Sequence, residues 1–543
     1  ARDAARRQRV TRRGGREMSR ALVALSAALA LSARRVDAND VVDDAARTRD
    51  ALTSRLTTKT VRLERFATDL EALAANDYDE YAASSGYFAL NRTTKDAHMF
   101  YTFFDARSGG AESEDAIPII LWLTGGPGCS SELAALYENG PFAFDDDDAT
   151  KLKRRKYAWN DAGRLLYVDS PVNTGFSYSS SRRDAAKDET TVANDLLEFL
   201  YAFMLSRPML VDAPVYVTGE SYAGHYVPAF ARAIFDANAR DDGPVRINLQ
   251  GLAIGNGLTD PAIQYAAYAD YSLGNDIVSA ATAKQTAKKL PSCVEKIKSC
   301  ASGKTSSKEN RAECLDAVDS CQAIPEALLE DAAERNGGKA INVYDIRKSC
   351  DAELCYDFSA AEAFLNRKDV QEAFGVSKKW EMCDASVHQD MMGDWMHDYE
   401  TLIPDMIEAG IRVMIYAGED DFICNWLGNL RWVKAMQWNG REAFNAARPE
   451  PFIIQGAGDG EDDVVGGDVR EHGGLSFVKI SEAGHMVPMD QPRNALTMIQ
   501  RFVNNEPIAR GRGGDEPKLS AAPRRFGPVE DDVVGRLAVA TQK

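Results

Sequence analysis

A chain of 543 residues with 45% hydrophobic content carries enough apolar material for a large buried core. Its net charge of −18 excludes nucleic acid and anionic membrane surfaces as partners held by charge. Nine cysteines, an odd number, point to a disulfide-forming compartment with one thiol left over.

Residues 1–17 are Arg-rich and read as an upstream artefact ahead of Met18. Residues 18–38 read as a signal peptide, with Arg20 before an apolar run and small residues near Ala38. That run is too short to span a bilayer. No other stretch approaches the ~20 apolar residues that a crossing needs, so no stable membrane association is expected. Residues 39–77 are charged and helix-compatible, and read as a pro-segment or an N-terminal extension.

A globular domain is placed at residues 78–505. Residues 87–90 (YFAL) and 98–104 (HMFYTFF) read as paired strands, with a glycosylation sequon on Asn91 between them. Residues 119–123 (IILWL) form the next strand and run into the glycine-rich turn TGGPGCSS. Further strands follow at 165–169, 215–218 and 252–255, separated by helical stretches. That alternation predicts an α/β fold with a mostly parallel, doubly wound sheet.

From about 260 to 345 the pattern breaks into a helical, polar, cysteine-rich stretch that reads as a cap insertion on the sheet's C-terminal edge. Positions i and i+7 share a helix face. Two antiparallel helices would therefore pair Cys293 with Cys321 and Cys300 with Cys314. Cys350 and Cys355 close a short loop, which leaves Cys129, Cys383 and Cys424 for one bridge and one free thiol. Strands resume at 412–416 and 477–480, and the Gly/Asp-rich stretch 456–474 between them reads as a mobile surface loop. Residues 506–543 lack a core pattern and read as a disordered tail.

The chemistry gathers at strand ends. Gly219-Glu220-Ser221-Tyr222-Ala223-Gly224 follows the 215–218 strand and opens a helix, the arrangement of an α/β-hydrolase nucleophile elbow. A serine there needs a histidine to take its proton, an acid to orient that histidine, and amide donors for the oxyanion. His485 stands in a glycine-preceded turn after the last strand. Glu419, Asp420 and Asp421 all fit the acid role on spacing alone. The order Ser, acid, His is that of α/β-hydrolases. Such chemistry uses no cofactor and no metal, and none is expected.

WLTGGPGCSS, GESYAGHYVP, IGNGLTDP, NVYDIRKSC, YAGEDDFICNWLGN and GHMVPMDQP, in this order across 78–505, resemble the serine carboxypeptidase family. The resemblance implies Ser221 as nucleophile, Asp421 as acid and His485 as base, with Gly126 and Tyr222 as oxyanion amides. It assigns Trp122, Thr124, Gly125, Glu138 and Glu220 to the substrate carboxylate. Leu133, Tyr137, Ile423, Cys424 and Met486 fall to the substrate pocket, whose apolar members imply a hydrophobic leaving residue. It also pairs Cys129 with Cys383 and leaves Cys424 free.

The implied activity is release of single C-terminal residues from peptides and proteins at acidic pH through an acyl-enzyme. The implied location is the secretory pathway, leading to a vacuole, a lysosome or the outside of the cell. One departure stands out. The family has asparagine where Thr124 lies, which keeps open an acyltransferase on the same scaffold; a non-catalytic protective partner is the remaining reading.

Overall fold

The computed structural model describes residues 47–68, 83–91, 94, 96–107, 116–302, 308–350, 354–456 and 462–510. The chain divides at Ala51. Before that point residues 47–51 are helical; everything from Leu52 on forms a second unit.

The strands of that unit are β1 (Lys59–Val61), β2 (Ala83–Ala89), β3 (His98–Phe104) and β4 (Ile119–Thr124). They continue as β5 (Phe142–Phe144), β6 (Leu152–Arg154), β7 (Arg164–Asp169), β8 (Val215–Glu220) and β9 (Leu249–Gly255). The last are β10 (Arg412–Gly418), β11 (Glu450–Ile454), β12 (Val464–His472) and β13 (Leu475–Ile480). Eleven of them make one sheet in the order β1-β2-β3-β7-β4-β8-β9-β10-β13-β12-β11. The pairs from β7 to β13 are parallel, and antiparallel strands extend both edges.

The central strands are apolar on both faces because helices cover both. Along β4, β8 and β10, Leu121, Val217 and Ile415 enter one core, while Ile120, Tyr216 and Met414 enter the other. Helices Glu189–Ser206 and Ala223–Arg240 fill the first core with Phe199, Phe230 and Ile234. Helix Pro492–Val503 fills the second with Ile499 and Phe502. Strands sealed on both sides read as continuous hydrophobic runs, which is why their sequence betrays them.

The cap is a helical hairpin, Leu290–Ser302 against Lys308–Arg335, stapled by Cys293–Cys321 and Cys300–Cys314. Disulfides Cys350–Cys355 and Cys129–Cys383 are also formed, and Cys424 is a buried free thiol.

Two expectations need correction, at 456–474 and at residue 505, and residues 39–77 add a strand to the sheet. The stretch 456–474 is not a plain loop: β12 lies in it and pairs with both β11 and β13, so sheet contacts override its weak strand propensity. The N-terminal extension contributes β1, which pairs with β2 at the sheet's edge. The body also runs past residue 505, since Ile508 and Ala509 are buried and Arg501 donates to the Ile508 carbonyl. The expected signal peptide, the upstream residues, and residues 39–46, 69–77 and 511–543 lie outside the described residues. Asn91 is exposed between β2 and β3; the rest of its sequon, Arg92 and Thr93, also lies outside them.

Candidate active site

Five parallel strands deliver their C-terminal ends to one place. Thr124 of β4 pairs with Glu220 of β8, Glu220 with Gly255 of β9, and Gly418 of β10 with Ile480 of β13. The loops that leave these residues carry the chemistry, as expected for the carboxyl edge of such a sheet.

Ser221 follows β8 directly and sits at φ 67°, the left-handed region that side chains normally avoid. Backbone bonds on both sides hold it there. Its amide donates to Gly255 O at 3.0 Å, and its carbonyl accepts from Gly224 N at 2.9 Å and Leu258 N at 3.0 Å. The helix Ala223–Arg240 begins two residues on, so the serine stands at the apex of a sharp strand-to-helix turn.

Of the three consecutive acids, only Asp421 meets the histidine. Its Oδ2 lies 2.9 Å from His485 Nδ1. Glu419 pairs with Lys479 at 2.9 Å, and Asp420 with Arg347 at 3.1 Å. Asp421 is fully buried and collects three more donors: Asn256 Nδ2 at 2.7 Å, Ile423 N at 3.1 Å and Cys424 N at 3.2 Å. A carboxylate so satisfied is held in one orientation. The bond to Nδ1 fixes the imidazole and leaves Nε2 as the nitrogen for a hydroxyl proton. Asn256 has no role in the sequence reading, although IGNGLTDP contains it.

Gly125 is packed onto the elbow. A Cβ added there would lie 2.4 Å from Tyr222 N and 2.8 Å from Ser221 Cβ, so only glycine allows the approach. This contact brings the 125–126 loop, with Gly126 at φ 110°, beside Ser221 and the Tyr222 amide. The loop is anchored below by Asp169. Its Oδ1 accepts from Ser130 Oγ at 2.6 Å and Ser131 N at 2.9 Å, and Trp380 Nε1 donates to Ser130 Oγ at 2.9 Å. The Cys129–Cys383 bridge ties the same loop to a segment far along the chain.

Beside the elbow lies a pair of buried carboxyls, Glu138 and Glu220, 1% and 3% exposed. Glu138 ends the short helix that bears Leu133 and Tyr137. The two carboxyls lie side by side and interact directly. Burial pushes the Glu138 carboxyl up to about 7, and burial together with Glu138 holds Glu220 well above the usual carboxylate range. Two such groups cannot both ionise cheaply, so the pair keeps a proton. Nearby, Trp122 Nε1 donates to Thr124 Oγ1 at 3.0 Å, which leaves the threonine proton to be given elsewhere.

An aromatic chain unforeseen from sequence runs from this pair to the histidine. Ring centres are 4.8 Å apart for Tyr137–Phe358, 5.6 Å for Phe358–Tyr356, 6.1 Å for Tyr356–Tyr344 and 5.3 Å for Tyr344–His485. Leu133 and Met486 are buried, and Ile423 is half-buried. Burial, then the charges of Asp421 and Glu220, push the Cys424 thiol up. Cys300, Cys314 and His397 have metal-like spacing, but the two sulfurs are bonded to each other.

The family model for serine carboxypeptidases matches residues 76–505. Serine carboxypeptidase-like 49 of Arabidopsis thaliana is 45% identical over 445 residues, covering 81% of each chain. Serine carboxypeptidase 3 of Hordeum vulgare is 44% identical over 78% of each. Among solved structures, the prohormone-processing carboxypeptidase KEX1(DELTA)P from Saccharomyces cerevisiae has the same fold, with a TM-score of 0.71 at 24% identity. That likeness covers 84% of this chain and 97% of the yeast one. The chain belongs to the serine carboxypeptidase family, and it is a hydrolase of that class on an α/β-hydrolase fold.

Proposed function

We propose that the protein releases single C-terminal residues, hydrophobic ones by preference, from peptides at acidic pH through a Ser221 acyl-enzyme. His485 Nε2 takes the Ser221 proton as Oγ attacks the scissile carbonyl, while Asp421 stabilises the imidazolium that forms. The amides of Gly126 and Tyr222 receive the developing oxyanion. The imidazolium then protonates the departing amine, and water enters by the same route in reverse.

The observation that carries this reading is the buried Glu138–Glu220 pair beside the elbow. A carboxyl that keeps its proton donates to a substrate carboxylate, whereas two carboxylates repel it. Trp122, Thr124 and Gly125 complete that subsite. Leu133, Tyr137, Met486, Ile423 and Cys424, with the Tyr344–Tyr356–Phe358 wall, supply an apolar pocket for the leaving residue. As pH rises through about 7, Glu138 ionises and affinity for the free carboxylate falls. An acidic compartment of the secretory pathway, a vacuole or lysosome, suits that dependence.

The test offers a blocked dipeptide with a hydrophobic C-terminal residue and follows the free amino acid. Ser221→Ala should remove ~10⁴–10⁶ of the rate without unfolding the chain. A variant that keeps a tenth of wild-type activity refutes the assignment. KM for the dipeptide should rise above about pH 7. Thr124 favours a second reading, acyl transfer to an alcohol, because a hydroxyl reaches less far than an amide. Wild-type enzyme that makes ester from acyl donor and alcohol yet releases no amino acid would select it.

A further inference from the structure

Residues 342–348, within NVYDIRKSC, lie between the loop that carries Asp421 and the loop that carries His485. Their backbone bonds to both. Val343 O accepts from Phe422 N at 3.1 Å and Ile423 N at 3.0 Å, and Ile346 N donates to Asp420 O at 3.0 Å. Tyr344 O accepts from His485 N at 2.6 Å. Asn342 shapes the strap, its Oδ1 accepting from Tyr344 N at 2.9 Å and Asp345 N at 3.1 Å.

Arg347 repeats this bridge in its side chain. Nε and Nη2 donate to the two oxygens of Asp345 at 2.8 and 2.6 Å. Nε is also 3.1 Å from Asp420 Oδ2, and Nη2 is 3.9 Å from Asp490 Oδ2. Asp490 Oδ2 in turn accepts from Gly484 N at 2.7 Å, one residue before His485. One guanidinium therefore faces three carboxylates: one on the strap, one adjoining the triad acid, one holding the histidine loop. Among the described residues Lys348 supplies the other cation paired with them, binding Asp490 Oδ1 and Asp345 Oδ2 at 2.5 and 3.0 Å.

The Asp345 and Asp490 side chains are 0% and 6% exposed and the Arg347 side chain 36%, so the carboxylates of the cluster are buried while its cation reaches solvent. Removing the guanidinium takes the cation from Asp420 and leaves Lys348 alone to hold Asp345 and Asp490, and the loops that bear these acids are the ones whose spacing sets the 2.9 Å Asp421–His485 contact. The planar fork grips both oxygens of Asp345 while also reaching Asp420, a two-pronged geometry that a lysine ammonium does not offer.

We propose that Arg347 is a positioning residue for the reaction, tying the Asp421 loop to the His485 loop. The inference rests on the triad reading given above. Arg347→Gln in the full chain, assayed on the blocked dipeptide, should lower kcat about 10- to 100-fold, the scale of a misplaced catalytic group. KM should change by less than about threefold, because the cluster does not include the Glu138–Glu220 pair. Free guanidinium at millimolar concentration should restore several-fold of the lost kcat, and Arg347→Lys should fall between wild type and glutamine.

Wild-type kcat in Arg347→Gln overturns the proposal. So does a loss in which KM rises in parallel and guanidinium restores nothing, since that marks general loosening. Should the glutamine variant fail to fold, Asp420→Asn takes its place: it removes only the arm beside Asp421, and unchanged kcat in it also overturns the proposal. Failure of the triad reading looks different, because Ser221→Ala then keeps its activity in the same assay.

Discussion

At Thr124 the side chain has one proton to give, and the structure settles where its oxygen is engaged: Trp122 Nε1 already donates to it at 3.0 Å. Under the proposed function, a substrate carboxylate meets a single hydroxyl donor here. Thr124→Asn supplies an amide with longer reach, and should lower KM for blocked dipeptides about tenfold, ~1.4 kcal/mol, with kcat nearly unchanged. Ester substrates without a free carboxylate should not respond. Steady-state kinetics on both substrates check this; an equal effect on the two, or none, shows that Thr124 does not serve the carboxylate. Residue identity was legible in sequence where a motif fixes spacing, as for Ser221 and His485. For the acid, spacing alone left Glu419, Asp420 and Asp421 open because they are consecutive; the family resemblance implied Asp421, and the fold turns that one toward His485.

Among elements, the contact between the glycine loop after β4 and the elbow after β8 is a tight constraint on the site. Gly125→Ala places a methyl 2.4 Å from Tyr222 N and 2.7 Å from Glu220 O, both backbone atoms that no rotamer change can clear. The loop must back away from Ser221. The expected outcome is a kcat at least ~100-fold lower with the protein still folded, measured against circular dichroism. Wild-type turnover in that variant would show that the loop's approach is dispensable. The strands framing these loops were legible because each is an apolar run sealed on both faces. β1 and β12 were not: one has three residues in a charged stretch, and the other contains Gly466 and Gly467 and owes its form to its two neighbours. The cap hairpin was legible from cysteine spacing alone, whereas the Tyr344–Tyr356–Phe358 wall arises from long-range packing that leaves no periodic trace.

Among the described residues, seven buried carboxyls share one electrostatic bias. Burial raises Asp169 to about 6, and Glu138, Asp260 and Asp394 to about 7. It also holds Glu132, Glu189 and Glu220 well above their ordinary range. Each keeps its proton in the folded state at pH values where the unfolded chain has lost it, so the folded state binds more protons between about pH 4 and 7. Stability then falls as pH rises through that window. Carboxyls held low by their partners, such as Asp345 and Asp384, act oppositely, but their contribution is complete once pH exceeds about 4. Burial also lowers His225, His388 and His397, which oppose the trend in the same window but are fewer than the raised carboxyls. The melting temperature should therefore be higher at pH 5 than at pH 7.5, by about 5 °C or more, in buffers of equal ionic strength. A higher melting temperature at pH 7.5 would contradict the account.

The bridge from Cys129 to Cys383 spans 254 residues, and His485 comes later still. A ribosome adding ~5–20 residues per second needs roughly 13–50 s to make the second cysteine after the first. Throughout that interval the glycine loop lacks its tether, and from Ser221 onward the growing chain has its serine without the histidine proposed as its base. Synthesis thus imposes a delay of its own: a nascent or prematurely terminated chain has no means to trim the free ends of its neighbours, and hydrolytic power arrives only with the last strand.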